Sequence, residues 1–183
     1  INWFCENRDF QYAFNAHTYA NDILHPIGTT TNEFAVDHNY FQAFTHHMVQ
    51  YNGYENKKSS ALYPASGDSD DYMYKVDTVV KPKIFAMTPE VSNTSGGFWP
   101  AVNEITGICQ DMVFPNLILS HLTHRYLVVE DTDPGMIAAT TGNFNHSAYR
   151  LGLENGPVTV SITPISGIQS VGSGSVHNLA IME

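Results

Sequence analysis

Apolar residues recur along this chain at two different periods, and the switches between them mark its elements. Beyond Asp37, the residues Tyr40, Phe41, Phe44, Met48 and Tyr51 fall at helical spacing until Asn52-Gly53 ends the run. That spacing predicts a helix with Asp37 as its N-cap and an aromatic stripe turned to a core. Asp9 to Ala16 is aromatic-rich and bounded by polar residues, which predicts a buried strand ending near His17. Lys83 to Met87 predicts a second core strand, and residues 1–7 read as the tail of an amphipathic helix. Pro100 suits the first turn of a long helix running to about His121, in which Pro115 should kink or break the rod. His25-Pro-Ile-Gly28 and the Thr run after it read as turn and loop. Residues 53–69 and Asn93 to Gly97 also read as loop, with a short helix beginning near Asp70.

The pattern changes near Thr123. From there, short β-branched runs (Tyr126 to Val129, Met136-Ile-Ala, Val158 to Ile162, Ile168 to Val171) alternate with turn segments such as Asp133-Pro-Gly135 and Glu154-Asn-Gly-Pro157. This predicts a small antiparallel β-sandwich module over residues 124–183, following an α/β region over residues 1–123.

Composition narrows the classes of partner. Eight Lys and Arg against 18 Asp and Glu, a net charge of −10, leave too few cations for a nucleic-acid backbone. The acidic balance instead favours cationic or neutral ligands. No apolar run reaches membrane-spanning length, and the given residues are read as carrying no signal peptide, any such signal being expected in the missing part. Two cysteines, Cys5 and Cys109, make no metal spacing; each is expected to pack as a small apolar side chain, with a single bridge left open. The opening at Ile1, in mid-helix and without a Met, predicts a processed or excised piece of a longer protein.

Candidate chemistry gathers at the predicted strand ends. His17 lies at the C-terminal edge of a core strand, where ligands collect in α/β folds, and its imidazole can offer a neutral nitrogen to a metal. Glu90 lies just past the second core strand, and Pro89 constrains Thr88 before it to an extended conformation. Tyr63 opens a polar loop, and a tyrosine hydroxyl there is a neutral donor on a movable arm. Asp70, with Asp68, belongs to an Asp-rich run that reads as the cap of the short helix after it. The remaining histidines carry little: His46 and His47 point in different directions on a helix, His121 and His124 sit at a helix C-terminus, and His25 has no carboxylate near it in sequence.

Three segments, Asn15-Ala-His17-Thr-Tyr19, Tyr63-Pro-Ala-Ser-Gly67 followed by Asp71-Tyr72, and Ala86-Met-Thr-Pro-Glu90, occur in an order that resembles the zinc carboxypeptidases of the A/B type. The resemblance runs over about residues 1–122 and implies an α/β/α sandwich with a mixed sheet, with the β tail as an accessory module. It implies that His17 is one zinc ligand and that Thr18 and Tyr19 line the cleft. It further implies that Glu90 is the general base toward a zinc-bound water, that Tyr63 clamps the substrate's C-terminal carboxylate, and that Asp70 sits at the side-chain pocket. A secreted or periplasmic protein acting on peptide or protein C-termini is the corresponding expectation, with no nucleic-acid or membrane partner.

The family's first metal motif, His-x-x-Glu, does not occur in this sequence. One His cannot hold a catalytic zinc, which takes three protein ligands. The chain by itself is therefore expected to be inactive and metal-free, with the missing N-terminal half of the catalytic domain, or a second copy of the chain, as a partner for the exposed sheet. Two other readings stand beside the enzyme: a binding module that keeps the pocket to recognise peptide ends without the metal, and a scaffold piece whose β tail attaches to another protein.

Overall fold

The computed structural model describes all residues except 76–79, 134–138, 144, 162, 168–171, 173–174, 178 and 180–183. The chain divides into two compact units, Ile1–Ser120 and His121–Glu183.

The first unit is built on a four-stranded mixed sheet in the order β1-β4-β2-β3, with β1 at Tyr12–Phe14, β2 at Asp22–His25, β3 at Glu55–Lys58 and β4 at Phe85–Glu90. β4 runs parallel to β1 and antiparallel to β2, and β2 runs parallel to β3. Among the described residues the helices are α1 (Asn2–Asn7), α2 (His38–Met48), α3 (Ser59–Leu62), α4 (Ser69–Tyr74), α5 (Ile105–Asp111) and α6 (Val113–Leu122), the last ending past Ser120.

Strand alternation sorts β4 between two cores. Phe85 meets Tyr12 of β1 and both Phe41 and Phe44 of α2, with ring centroids 5.4–5.6 Å apart. Ala86, one residue on, turns to the opposite side and joins Cys5 of α1, Met73 of α4 and Ile84 in a second cluster. The sheet is thus covered by helices on both faces, the α/β layering that the resemblance implies.

Several sequence expectations need correcting. Asp22 to His25 is a fully buried strand, so His25, expected to open a turn, instead ends that strand. His25 stacks on Phe41 at 5.4 Å, donates Nδ1–H to the Pro26 carbonyl and accepts from the Gln42 amide at Nε2. Residues 53–69 contain β3 and α3, because the polar Glu-Asn-Lys-Lys run forms the outer strand of the sheet, where charge is tolerated. Asp37 is the N-cap residue of α2 by position, yet its side chain makes no cap bond; it accepts instead from Tyr74 and Lys83. The long helix from Pro100 is two helices broken at Met112, and Pro115 sits in the first turn of α6, where its missing N–H costs nothing. Cys5 is buried as expected, but Cys109 is exposed, and both are free thiols. Tyr51, placed in the apolar stripe by spacing, falls beyond the end of α2 and is exposed.

In the second unit, β5 (Leu127–Asp131) pairs antiparallel with β6 (His146–Arg150), and β7 (Val158–Val160) with β8 (Ser175–His177). This is the antiparallel β character the alternating runs predict. The expected runs at Met136-Ile-Ala and Ile168 to Val171, and Ile162, lie outside the described residues. β6 carries no β-branched run and was not foreseen; its buried Arg150 donates to the Glu154 carbonyl.

Phe41 meets the rings of His25, Tyr74 and Phe85 and is fully buried. Phe41→Ala should cost about 3–5 kcal/mol in urea unfolding. Val36→Ala, at an exposed position, should stay within about 0.5 kcal/mol.

Candidate active site

The register of two strands decides what shares the site. In the parallel β1–β4 pair, Ala13 lies beside Ala86. Four residues further along, a single bridge sets His17 beside Glu90, so both fall on the same face. The bridge is closed by His17 N–H donating to the Pro89 carbonyl at 2.9 Å and Val91 N–H donating to the His17 carbonyl at 2.9 Å. His17 Nδ1 then stands 3.5 Å from Glu90 Oε2 and 3.1 Å from the Thr18 carbonyl. With Nδ1 carrying the proton toward those oxygens, Nε2 keeps its lone pair as an acceptor. The His17 side chain is 66% exposed while that of Glu90 is only 9% exposed. An open imidazole therefore lies against a sheltered carboxylate.

Midway between the two rows, Asn15 and Thr88 use the same face to reach Asp70. Asn15 Nδ2–H donates to Asp70 Oδ1 at 2.9 Å, and the Thr88 hydroxyl donates to Oδ2 at 2.8 Å. Asp70 is 2% exposed, and burial pushes its carboxyl up to about 6, opposed by these two hydrogen bonds and reinforced by the Asp68 and Asp71 charges. Asp70 does not cap α4. Asp68 does, accepting the Asp71 N–H at 2.7 Å.

A cavity of about 400 Å³ runs over this face, with His17 and Glu90 among its lining residues and Asp68 and Asp70 lining it as well. Leu24, Leu62 and Ala65 supply its apolar wall. Tyr63, 63% exposed, stands at the start of the segment that leads from α3 to α4 and also lines the cavity. That segment is tied down beyond Tyr63: Ala65 N–H donates to the Gly28 carbonyl, and Gly28 N–H donates to Asp71 Oδ1 at 3.0 Å. A Cβ on Gly28 would overlap the Asp68 carboxylate, which would have to move to make room for it. Thr18 donates its hydroxyl to the Val91 carbonyl, and Tyr19 packs edge-on against Phe98 at 4.9 Å; neither lines the cavity.

Of the residues singled out from sequence, His17, Glu90, Tyr63 and Asp70 are thus gathered at one cavity. Sequence reasoning missed Asn15 and Thr88, whose signal lay in strand parity: each sits two positions before a flagged residue, on the same face.

A zinc ion needs three protein ligands in a catalytic site. Among the described residues, no group of three or more His, Cys, Asp or Glu is placed to hold a metal ion.

The fold and cavity define an α/β protein with a polar cleft at the ends of its core strands. The chain belongs to the zinc carboxypeptidase family, whose model matches residues 1–114. Among solved structures, it is similar to bovine thrombin-activatable fibrinolysis inhibitor in complex with tick carboxypeptidase inhibitor. The identity is 22% and the TM-score 0.51, over 59% of this chain and 38% of that chain. A second structure, of thrombin-activatable fibrinolysis inhibitor (TAFI), is 24% identical with a TM-score of 0.49, covering 59% of this chain and 28% of that one. The first likeness shows the fold, and the chain spans well under half the length of either. A comparison with curated proteins gives no match. No helix among the described residues is long and apolar enough to cross a membrane.

The Asp70 carboxyl gives a pH test. Its folded-state pKa lies above the ordinary value of 3.8, so between about 4 and 6 the folded chain holds a proton that the unfolded chain has lost. Stability contributed at this position therefore falls as pH rises through that window. Asp70→Asn removes the ionisation. Its stability relative to the parent should rise by about 2–3 kcal/mol between pH 4 and pH 7 and level off above. Urea unfolding at both pH values reads this directly, and a pH-independent difference would mean that Asp70 titrates as an ordinary carboxyl.

Proposed function

We propose that this chain carries the base and the substrate pocket of a zinc-dependent carboxypeptidase that releases C-terminal residues from peptides. The observation that carries this reading is the placement of His17 against Glu90, 3.5 Å apart, at the cavity that also holds Asp70. A sheltered carboxylate beside an exposed imidazole suits Glu90 to accept a proton and return it to a leaving amine. His17 supplies one metal ligand, and the others come from polypeptide outside this sequence. Zinc bound there would lower the pKa of a coordinated water to about 7.

The pocket divides the remaining work. Tyr63, on an exposed position over the cavity, donates its hydroxyl to the substrate's terminal carboxylate. Thr18 and Tyr19 border the approach beyond the cavity itself. Asp70 and Asp68 give the floor an acidic character that favours Arg or Lys as the released residue, through charge-assisted hydrogen bonds. Each Asp70 oxygen already accepts one bond, from Asn15 or Thr88, and keeps a second acceptor direction for the ligand. Secretion or export to a periplasm, and action on peptide or protein C-termini, belong to the same proposal.

A second reading rests on the incomplete metal set among the described residues: a non-catalytic module that recognises peptide ends with the same pocket. One experiment separates the two. The chain is compared with the protein extended N-terminally through its parent reading frame, by zinc content and by release of C-terminal residues. On the enzyme reading, only the extended protein binds one zinc per chain, a chelator abolishes its activity, and zinc restores it. Glu90→Gln should then lower kcat about 100- to 10,000-fold while zinc content is kept. Tyr63→Phe should act chiefly on KM for peptides with a free C-terminal carboxylate. An extended protein that binds peptide ends but neither zinc nor turns over would establish the binding module instead.

A further inference from the structure

Among the described residues, two other than glycine have left-handed backbones, Asn21 at φ 59° and Ser92 at φ 77°. L-residues adopt this conformation singly and at a cost, and such strain gathers where surrounding structure holds it for a purpose. Both flank the site. Ser92 follows Glu90 by two residues, and Asn21 immediately precedes β2, the strand whose Asp22 lies opposite Glu90 in the antiparallel pair.

The two are joined. Asn21 N–H donates to the Ser92 carbonyl at 3.1 Å, and Ser92 N–H donates to the buried hydroxyl oxygen of Tyr54 at 3.1 Å. Thr94 N–H donates to the Ser92 hydroxyl at 3.3 Å, so every polar group of this buried residue is used. The Asn21 carbonyl accepts from Glu55 N–H at 2.9 Å, the residue after Tyr54. Tyr54 is itself fixed, its N–H held by the Asn52 side chain at 3.0 Å and its ring buried. The start of β3 thus grips both strained residues, one through the Tyr54 hydroxyl and one through the Glu55 amide. Ala20 N–H completes the arrangement by donating to the Glu90 carbonyl at 3.4 Å.

We propose that Tyr54 is a positioning residue for the reaction, its hydroxyl holding the left-handed turn at Ser92 and thereby the direction in which the end of β4 presents the Glu90 carboxylate toward His17. Tyr54 does not line the cavity, so it acts through the backbone and not on substrate. Without the hydroxyl, the Ser92 N–H is left buried and unpaired, and the turn relaxes toward ordinary backbone angles. Glu90 then leaves the geometry on which proton transfer depends. This inference rests on the reading of Glu90 as the base.

The test uses the extended protein and this chain together. In the extended protein, Tyr54→Phe should lower kcat about ten- to a hundredfold with KM within about twofold. Adding Ser92→Gly, which accepts the left-handed angle without penalty, should recover most of that loss. A Tyr54→Phe protein that melts earlier but keeps its kcat, or a kcat loss that glycine does not recover, overturns the proposal. Retained activity in Glu90→Gln would overturn the base reading instead, and it is measured alongside. In this chain alone, amide exchange gives a readout independent of activity. Tyr54→Phe should speed exchange at Val91 and Ser92 by about tenfold or more while Ala86 and Met87 stay protected. A uniform loss along β4 would make Tyr54 a contributor to stability only, and would overturn the proposal too.

Discussion

The site depends on the parallel pairing of β1 with β4. Once Tyr12, Ala13 and Phe14 lie beside Phe85, Ala86 and Met87, the period of two in a strand leaves little freedom. Ala13, Asn15 and His17 must share a face with Ala86, Thr88 and Glu90. The first row packs into the apolar cluster with Cys5 and Met73. The second row supplies the two donors that hold Asp70. The third row brings the imidazole to the carboxylate. Apolar anchoring, polar fixation and exposed chemistry thus succeed one another along one face, over three rows of residues. A slip of a single residue in either strand would turn His17 and Glu90 to opposite sides.

The opposite face explains why such a slip does not occur. Phe85 is caught among Tyr12, Phe41 and Phe44 in near-perpendicular or tilted contacts, a geometry aromatic rings favour over face-to-face stacking. Moving β4 by one residue would bring Ala86 into that aromatic nest and drive Phe85 into a cluster shaped for alanine. Both errors are expensive in a close-packed interior. The chemistry of one face is therefore secured by the packing of the other. His25 belongs to the same structural side of the molecule. Burial drives its pKa down to about 4, which keeps it a neutral ring stacked on Phe41, hydrogen-bonded at both nitrogens and spent on structure.

How much of this could be read from sequence follows from which signals are local. The α2 stripe and the two core strands were legible because aromatic and β-branched residues mark them directly. So were His17, Glu90, Tyr63 and Asp70 as residues of interest, each tied to a short segment with its own surroundings. What stayed hidden was long-range. Nothing near Asp22-Ile-Leu-His25 announces a strand, since its four residues include an acid and a histidine, and only pairing on both sides makes it one. Glu55-Asn-Lys-Lys58 reads as loop by polarity and is a strand because β2 accepts it at the edge. The choice between Asp68 and Asp70 as helix cap is settled by backbone angles that composition does not carry.

The acidic cavity poses its own physical question, because Asp68, Asp70 and Glu90 line one space without a lysine or arginine among the residues that line it. Carboxylates so placed repel one another and resist burial, and the chain answers each differently. Asp68 spends its charge on the α4 backbone, where a helix N-terminus favours it. Asp70 is shielded from solvent, takes two hydrogen bonds, and meets its cost by titrating near 6. Glu90 lies against the imidazole of His17, 3.5 Å away. The three acids are thus not an undifferentiated patch but a gradient, from a structural cap through a buried titrating group to a carboxylate with a chemical partner. A cation entering this space would meet the acid whose ionisation it most assists, which is the one held by Asn15 and Thr88.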